Sequence, residues 1–426
     1  MTRIETEKNI FNNNKFLLSL FLLFPISILI GNFAINLSIL LISSIFMVTL
    51  ISKKNQIYID KKTLLLLLFF FSSLIINLIF SKDIYLSSPR VIKFFLIVFF
   101  ILSFRHLLIN FDSTQIKKLY KVWSIILSIV ILDLIFEFFM GNNIIGYNSI
   151  MPGIRLASFT GEESVIGHYF SGFILLFLSY FNYRFPNYRI LNLLLAIFAI
   201  GIAFIIGERS NFIKTFIIIF FFIIFVYEIQ LRVKILFISI LLIFFSLFVN
   251  FSSKEFKSRN FNQVKKVFQE GGINYFLDHT QYGAHFNVAY KIFKDNPIFG
   301  VGIKNFRIES ASKKYDNLEH PSNNLRSATH PHQLHYEFLA ETGIFGYLSF
   351  LIFIFISLFR SIKSYLLTKN NFQLSSILFV AISILPLLPS GSFLSTYSSS
   401  IFWLNYAIMM GYINIKNNQV DYHNLK

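Results

Sequence analysis

Side chains able to do acid–base chemistry gather where the longest polar segment of the chain meets a long apolar run, in HPSNNLRSATHPHQLHYEFLAETGIFG at 320–346. An apolar run of about 20 residues reads as a membrane-spanning helix, so His330, His332 and His335 stand where water meets lipid. A neutral imidazole near pH 7 can take the proton of an attacking hydroxyl. The spacing predicts a helix with Pro331 in its first turn and Thr329 or His330 as cap, a start that favours an anion such as phosphate. Glu337 and Glu341 follow at i, i+4 on one face, the second well inside the apolar run, where ionisable groups are costly and usually functional. A single histidine near a span end is more often an interfacial anchor. Three of them, with two acids and the pair Gly343 and Gly346, favour a site.

Sparse charges elsewhere fall at the same level. Arg155 lies in the 141–163 loop, followed by Glu162, Glu163 and then His168; Arg209 follows Glu208 and precedes Lys214; Arg90 and Lys93 flank the start of another apolar run. Arg209 has a bland alternative, pairing with Glu208 or snorkelling to water.

The elements that must position these groups are spans. Of the 426 residues, 55% are hydrophobic and 14% charged, the composition of an all-α polytopic membrane protein. Apolar runs at 16–30, 32–52, 63–80, 91–109, 121–140, 164–181, 189–206, 211–227, 232–251, 336–359, 373–389 and 394–413 predict twelve spans and put both termini on one side. Residues 1–251 then carry spans one to nine, 252–335 form a large outer loop, and 336–426 carry spans ten to twelve with a tail. Lys and Arg number 20 on the side of the termini and 6 in the opposite short loops, so the termini are expected in the cytoplasm and the 252–335 loop outside. The net charge of +17 belongs to that topology, and no nucleic-acid partner is expected. With no cysteine, disulfides and thiolate metal sites are excluded. The aspartates of the outer loop, Asp278, Asp295 and Asp316, are dispersed, so no metal and no cofactor is expected. Asp133, inside the fifth run, has no evident role.

Within the outer loop, Phe286, Ala289, Tyr290 and Phe293 repeat at i, i+3, i+4, i+7 and predict an amphipathic helix that Asn296-Pro297 stops. Gly300 and Gly302 then form a turn where backbone can approach a ligand or another segment closely.

Taken together, DNPIFGVGIKNF at 295–306 and LHYEFLAETGIFG after His332-Gln333 resemble the signature of the O-antigen ligase and O-antigen polymerase superfamily. The pattern is Pro-x-x-Gly-x-Gly, then a His followed nine residues on by Glu-x-Gly-x-x-Gly, met here by Pro297, Gly300, Gly302, His332, Glu341, Gly343 and Gly346. The layout is similar too, with about twelve spans and a large periplasmic loop between spans nine and ten, and Arg155 and Arg209 match the family's outer-face arginines. Many relatives carry an arginine near Gln281 and Tyr282, where this chain has none; His279, His285 or Arg259 are the substitutes at hand.

The resemblance implies a GT-C type, metal-independent glycosyltransferase of the bacterial inner membrane. It would move a glycan from undecaprenyl diphosphate to an acceptor hydroxyl, on lipid A core or a similar molecule, at the periplasmic face. It implies His332 as general base with Glu341 orienting it or its helix, Arg155, Arg209 and Arg90 on the diphosphate, and His330, Glu162, Glu163, Gly300 and Gly302 in support. Ligation is preferred to repeat-unit polymerisation. A secondary transporter is the rival from another class, although no paired halves are visible in the sequence.

Overall fold

The computed structural model describes residues 3–52, 59–148, 154–161, 165–227, 239, 257–258, 262–386 and 388–415, with side chains from 13 onward. Fifteen α-helices and no strand occur among them: α1 (Arg3–Ile30), α2 (Asn32–Ser52), α3 (Lys61–Ile79), α4 (Ile84–Asn110), α5 (Ser113–Met140), α6 (Ile166–Arg184), α7 (Arg189–Ile205), α8 (Arg209–Val226), α9 (Gln263–Gln269), α10 (Ile273–His279), α11 (Gln281–Asp295), α12 (Phe306–Glu309), α13 (Leu334–Thr368), α14 (Asn371–Ser383) and α15 (Thr396–Gly411). Seven of these, α1 to α5, α8 and α13, are long and apolar enough to cross a membrane, and α7 and α14 are shorter apolar helices. The chain is a polytopic all-α membrane protein. Eleven of the twelve expected runs fall on described helices; the ninth, 232–251, lies outside the described residues apart from Ser239.

Burial sorts the helices into two groups. α6 and α15 are buried along most of their length, so they form the centre of the bundle, whereas α2 and α3 bury one stripe and leave the rest to lipid. Phe70 of α3 packs on Phe94, Phe350 and Phe353, and Phe393 and Trp403 extend the same aromatic cluster. Dispersion among such rings, rather than the hydrophobic effect, holds spans together in lipid.

Two expectations about element ends are corrected. The helix after the outer loop starts at Leu334, capped by Gln333, whose side-chain oxygen accepts from Tyr336 N; Thr329, His330 and Pro331 stay in the loop. His332 turns the chain there with φ 58°, so the first turn cannot begin at Pro331. The run 373–389 does not continue as one helix: α14 ends at Ser383 and the stretch up to Ser395 is irregular, because Pro386, Pro389 and Gly391 deny it helical hydrogen bonds or favour turns. In the outer loop the expected amphipathic helix is α11, ended by Asn296, but its buried stripe runs through His285, Phe286, Val288, Ala289 and Ile292 while Tyr290 is exposed.

One interlock fixes one end of the bundle. α13 breaks at Gly343, where φ 62° and ψ −170° interrupt the helix, and the turn 297–302 docks into the break. Val301 N and Gly302 N donate to the carbonyls of Ala340 and Glu341, while Ile344 N and Phe345 N donate to those of Pro297 and Ile298. Asn77 of α3 adds its amide to the carbonyls of Phe299 and Glu341. A Cβ on Gly300 would stand 2.5 Å from the carbonyl carbon of Glu341, and one on Gly343 would stand 2.4 Å from the carbonyl oxygen of Ile298. Both glycines also hold positive φ, which costs an L side chain about 1–2 kcal/mol before any overlap. Gly300→Ala and Gly343→Ala are therefore each expected to lower the temperature at which purified protein stays monodisperse in detergent, by several degrees or more. Size-exclusion profiles after heating check this, and an unchanged profile for Gly343→Ala would mean that the break tolerates a side chain.

Candidate functional site

The interlock leaves 301–305 lying along the α3–α4 connection. Lys82 N donates to Val301 O, Ser87 Oγ to Ile303 O, and Asp83 N to Asn305 Oδ1. Lys304, at φ 67°, is turned inward and buried. Its backbone N–H donates to Glu341 Oε2 at 2.8 Å, and its Nζ donates to Ser392 Oγ at 2.6 Å and lies 3.9 Å from Glu337 Oε1. Ser392 Oγ donates in turn to Glu337 Oε1, and Phe393 N donates to Oε2 of the same carboxylate at 2.8 Å. Burial pushes the Lys304 ammonium down, and the two carboxylates push it back up. Glu341 Oε1 is buried with no hydrogen-bond partner among the described residues. Thus both acids of α13 face Lys304, Glu337 also holding Ser392 and Phe393, and Glu341 bonds the Lys304 backbone rather than His332.

The histidines split. His335 is held by Tyr347 OH and the Ile384 carbonyl, each at 2.9 Å, which is the anchoring role. His330 and His332 instead join His285 of α11 in a stack: the His332 ring centroid is 4.1 Å from that of His330, 5.1 Å from that of His285, and 5.6 Å from Tyr282. Ser390 N fixes the backbone by donating to His332 O at 2.7 Å. Burial lowers all three imidazoles below the usual histidine range. His332 reaches about 3, with His330 and His285 adding to the effect, and His330 reaches about 4, with Lys304 next to burial as the cause.

Cations flank the stack on two sides. On one side Arg155 Nη2 lies 3.5 Å from Glu208 Oε2, so Glu208 serves Arg155 rather than its neighbour Arg209. Glu208 also accepts from Gly167 N at 2.9 Å; burial raises its carboxyl, and Arg155 draws it back down. Arg209 reaches Gln263 Oε1 at 3.4 Å and lies within electrostatic range of Tyr282 and Arg155. Asp133 and Glu137 of α5 explain how Arg155 is held: their carboxylates accept from Ile144 N, Ser158 Oγ, Ala157 N and Ser158 N, pinning the loop on both sides of it. On the other side Arg90 donates to Thr396 Oγ1 at 3.0 Å, and Arg90, Lys93, Lys304 and Arg307 lie within electrostatic range of one another.

The segment 386–396 ties the two sides together. Pro386 O accepts from Gln333, Pro389 O from Ser210 and Lys214, and Ser390, Ser392 and Thr396 reach His332, Lys304 and Arg90. Sequence reasoning missed this segment, together with the parts of Lys304, Arg307, Tyr282 and Glu208. Its signal was the run PSGSFLSTYSSS at 389–400, polar across the junction of the two last expected spans. Among the expected substitutes for the absent loop arginine, His285 is in the stack, His279 stacks on Tyr275 away from it, and Arg259 lies outside the described residues, as do Glu162 and Glu163. Gly300 and Gly302 sit in the interlock, where a Gly302 Cβ would stand 2.5 Å from Ser81 Cβ.

Residues 194–351 match the family model described as O-antigen ligase, a stretch that contains Arg209, Lys304, Arg307, His330, His332, Glu337 and Glu341. No curated protein matches the chain. The match bears out the resemblance to the O-antigen ligase superfamily and supports a function of the ligase or polymerase type.

The neutral imidazoles give a pH dependence whose sign is fixed. His330 and His332 titrate lower in the folded chain than the ordinary histidine value near 6.5, so between about pH 6.5 and 4 the unfolded chain binds more protons. Their contribution to stability is complete above that window and is lost as pH falls through it. The unfolding temperature in detergent should drop from pH 7 to 4.5, with a shallower drop in a His330→Gln, His332→Gln double variant. Equal slopes would place the acid sensitivity elsewhere.

Proposed function

We propose that this chain, with its O-antigen ligase match at 194–351, transfers a glycan from undecaprenyl diphosphate to an acceptor hydroxyl at the outer face of the bacterial inner membrane. Supporting this reading is one observation above the others: His285, His330 and His332 pack ring on ring, with Lys304 and Arg307 in electrostatic range of His330, and Arg209 in range of Tyr282, whose ring packs on His332. In the reaction the acceptor oxygen bonds to the anomeric carbon as the bond from that carbon to the diphosphate oxygen breaks. The carrier leaves as the diphosphate anion, which needs positive charge more than it needs a proton. Arg155, Arg209 and Arg90 supply planar donors that remain charged at any physiological pH. His332 takes the acceptor's proton, and a dianion bound beside it raises its basicity. Glu341 acts at one remove, holding the Lys304 backbone rather than the imidazole.

Lipid A core or a similar outward hydroxyl is the acceptor in the ligase reading, and a growing repeat-unit chain is the acceptor in the polymerase reading. The family description favours ligase. A deletion strain separates the two on a gel of its surface glycan: a bare acceptor with glycan stranded on its carrier supports ligation, and acceptor capped with single repeat units supports polymerisation.

His332→Ala is expected to abolish transfer with donor binding largely retained, since a general base acts in the transition state. Arg209→Lys should be nearly as damaging as Arg209→Ala, because an ammonium lacks the fork that matches a phosphate. Near wild-type turnover in His332→Ala, measured with purified protein and lipid-linked donor, would remove the base assignment. In the same reading the termini are cytoplasmic, so reporter fusions at Lys62, Arg184 and Lys363 report cytoplasm and one near Lys266 reports the outside; a cytoplasmic signal at Lys266 would sink it.

A further inference from the structure

We infer that α9 is a foot on the bilayer surface, its Val264 and Phe268 lowered into the boundary between lipid headgroups and acyl chains beside the start of α8. No side chain of α9 is buried, and Phe268 is 77% exposed. Val264, exposed as well, stands at i, i+4 to it, so the two make one apolar edge, about 40° apart around the helix. The opposite side of α9 is the one that meets protein. Gln263 Oε1 accepts from Arg209, and the Lys266 ammonium lies over the Tyr275 ring of α10, 5.9 Å from its centroid. At about 100° per residue, Gln263 and Lys266 stand roughly 140° and 160° around from Phe268. The apolar edge therefore points away from the folded loop.

The contact with Arg209 sets the depth. Arg209 is the first residue of α8, a helix long and apolar enough to cross a membrane, and Ile213, one turn on, is already exposed on its surface. Four residues of helix rise about 6 Å, and the polar zone on each side of a bilayer is of the same order. α9 thus begins inside that zone, and the apolar run 232–251, expected as a span, comes shortly before it in the sequence. Charge agrees with depth. Lys265 is exposed and stands about 60° around from Phe268, where its stem can lie along lipid while its ammonium reaches anionic headgroups. A lipid surface is the occupant that depth and charge together favour. The foot also has a load, since α10 and α11 follow across short joints and α11 brings Tyr282 and His285 to the histidine stack. Such a foot does not depend on the glycosyl-transfer reading.

The chain has no cysteine, so a single introduced one can be labelled cleanly. Val264→Cys, Phe268→Cys and Gln269→Cys, the last turned about 100° from Phe268, each receive a nitrobenzoxadiazole dye. All three positions are exposed, so the fold has little to lose by the change. The full-length protein is placed, one copy per disc, in nanodiscs of phosphatidylethanolamine and phosphatidylglycerol, and quenching is measured with lipid doxyl-labelled near the headgroup and with aqueous iodide. Dyes at positions 264 and 268 should be quenched by the doxyl lipid at least about twofold more strongly than the dye at 269, and by iodide in the reverse order, as for a helix lying in the interface. The foot is ruled out if the dyes at 268 and 269 answer either quencher alike, which leaves the edge in water or the helix without a lipid side. It is equally ruled out if neither quencher reaches position 268, which puts protein on that face.

Discussion

Backbone meeting backbone at Gly300 and Gly343 is the constraint from which the candidate site follows. A helix 35 residues long would ordinarily satisfy its own hydrogen bonds. Here the break at Gly343 releases carbonyls and N–H groups within an apolar helix, where unpaired polar backbone is costly, and the turn 297–302 supplies partners for Ala340 O, Glu341 O, Ile344 N and Phe345 N. Because the two segments satisfy one another, neither can shift alone. The loop is thereby anchored to α13, its next residues are laid along the α3–α4 connection, and Lys304 is driven inward at a left-handed φ. The acids Glu337 and Glu341 then face a cation that the loop has delivered rather than one from a neighbouring span.

The same logic governs the other buried carboxylates. Asp133, Glu137, Glu208, Glu337 and Glu341 all accept from backbone N–H groups of loops or helix starts. In a low-dielectric setting such bonds are stronger than in water and an unmet carboxylate is costly, so each acid fixes the shape of a loop.

How much of this was legible depended on whether the signal was local. Apolar runs gave the spans because twenty residues of Leu, Ile and Phe have few other stable places. The spacing of Pro297, Gly300, Gly302, Glu341, Gly343 and Gly346 gave the site's location without its meaning: the glycines read as a turn near a ligand, whereas they are two halves of one backbone interlock. Pro331 read as a helix start, but the positive φ at His332, a tertiary feature held by Ser390, moved the start to Leu334. Asp133 was opaque because its partners, Ile144 and Ser158, sit 11 and 25 residues away in a loop with no periodic pattern. Lys304 passed unnoticed for a similar reason, since nothing in IKNF distinguishes an inward lysine from a solvated one.

The left-handed turn at His332 also links position to chemistry. A non-glycine residue at φ 58° is held there by its surroundings at a cost of order 1–3 kcal/mol, and here the holders are Ser390 N on its carbonyl and the rings of His285, His330 and Tyr282 around its own. A ring so packed stays neutral among cations, because burial and neighbouring imidazoles both oppose a further positive charge. Under the proposed function, a polyanion held by Arg155, Arg209 and Arg90 would oppose both effects, so the basicity of His332 would rise with the arrival of the group whose departure the reaction requires.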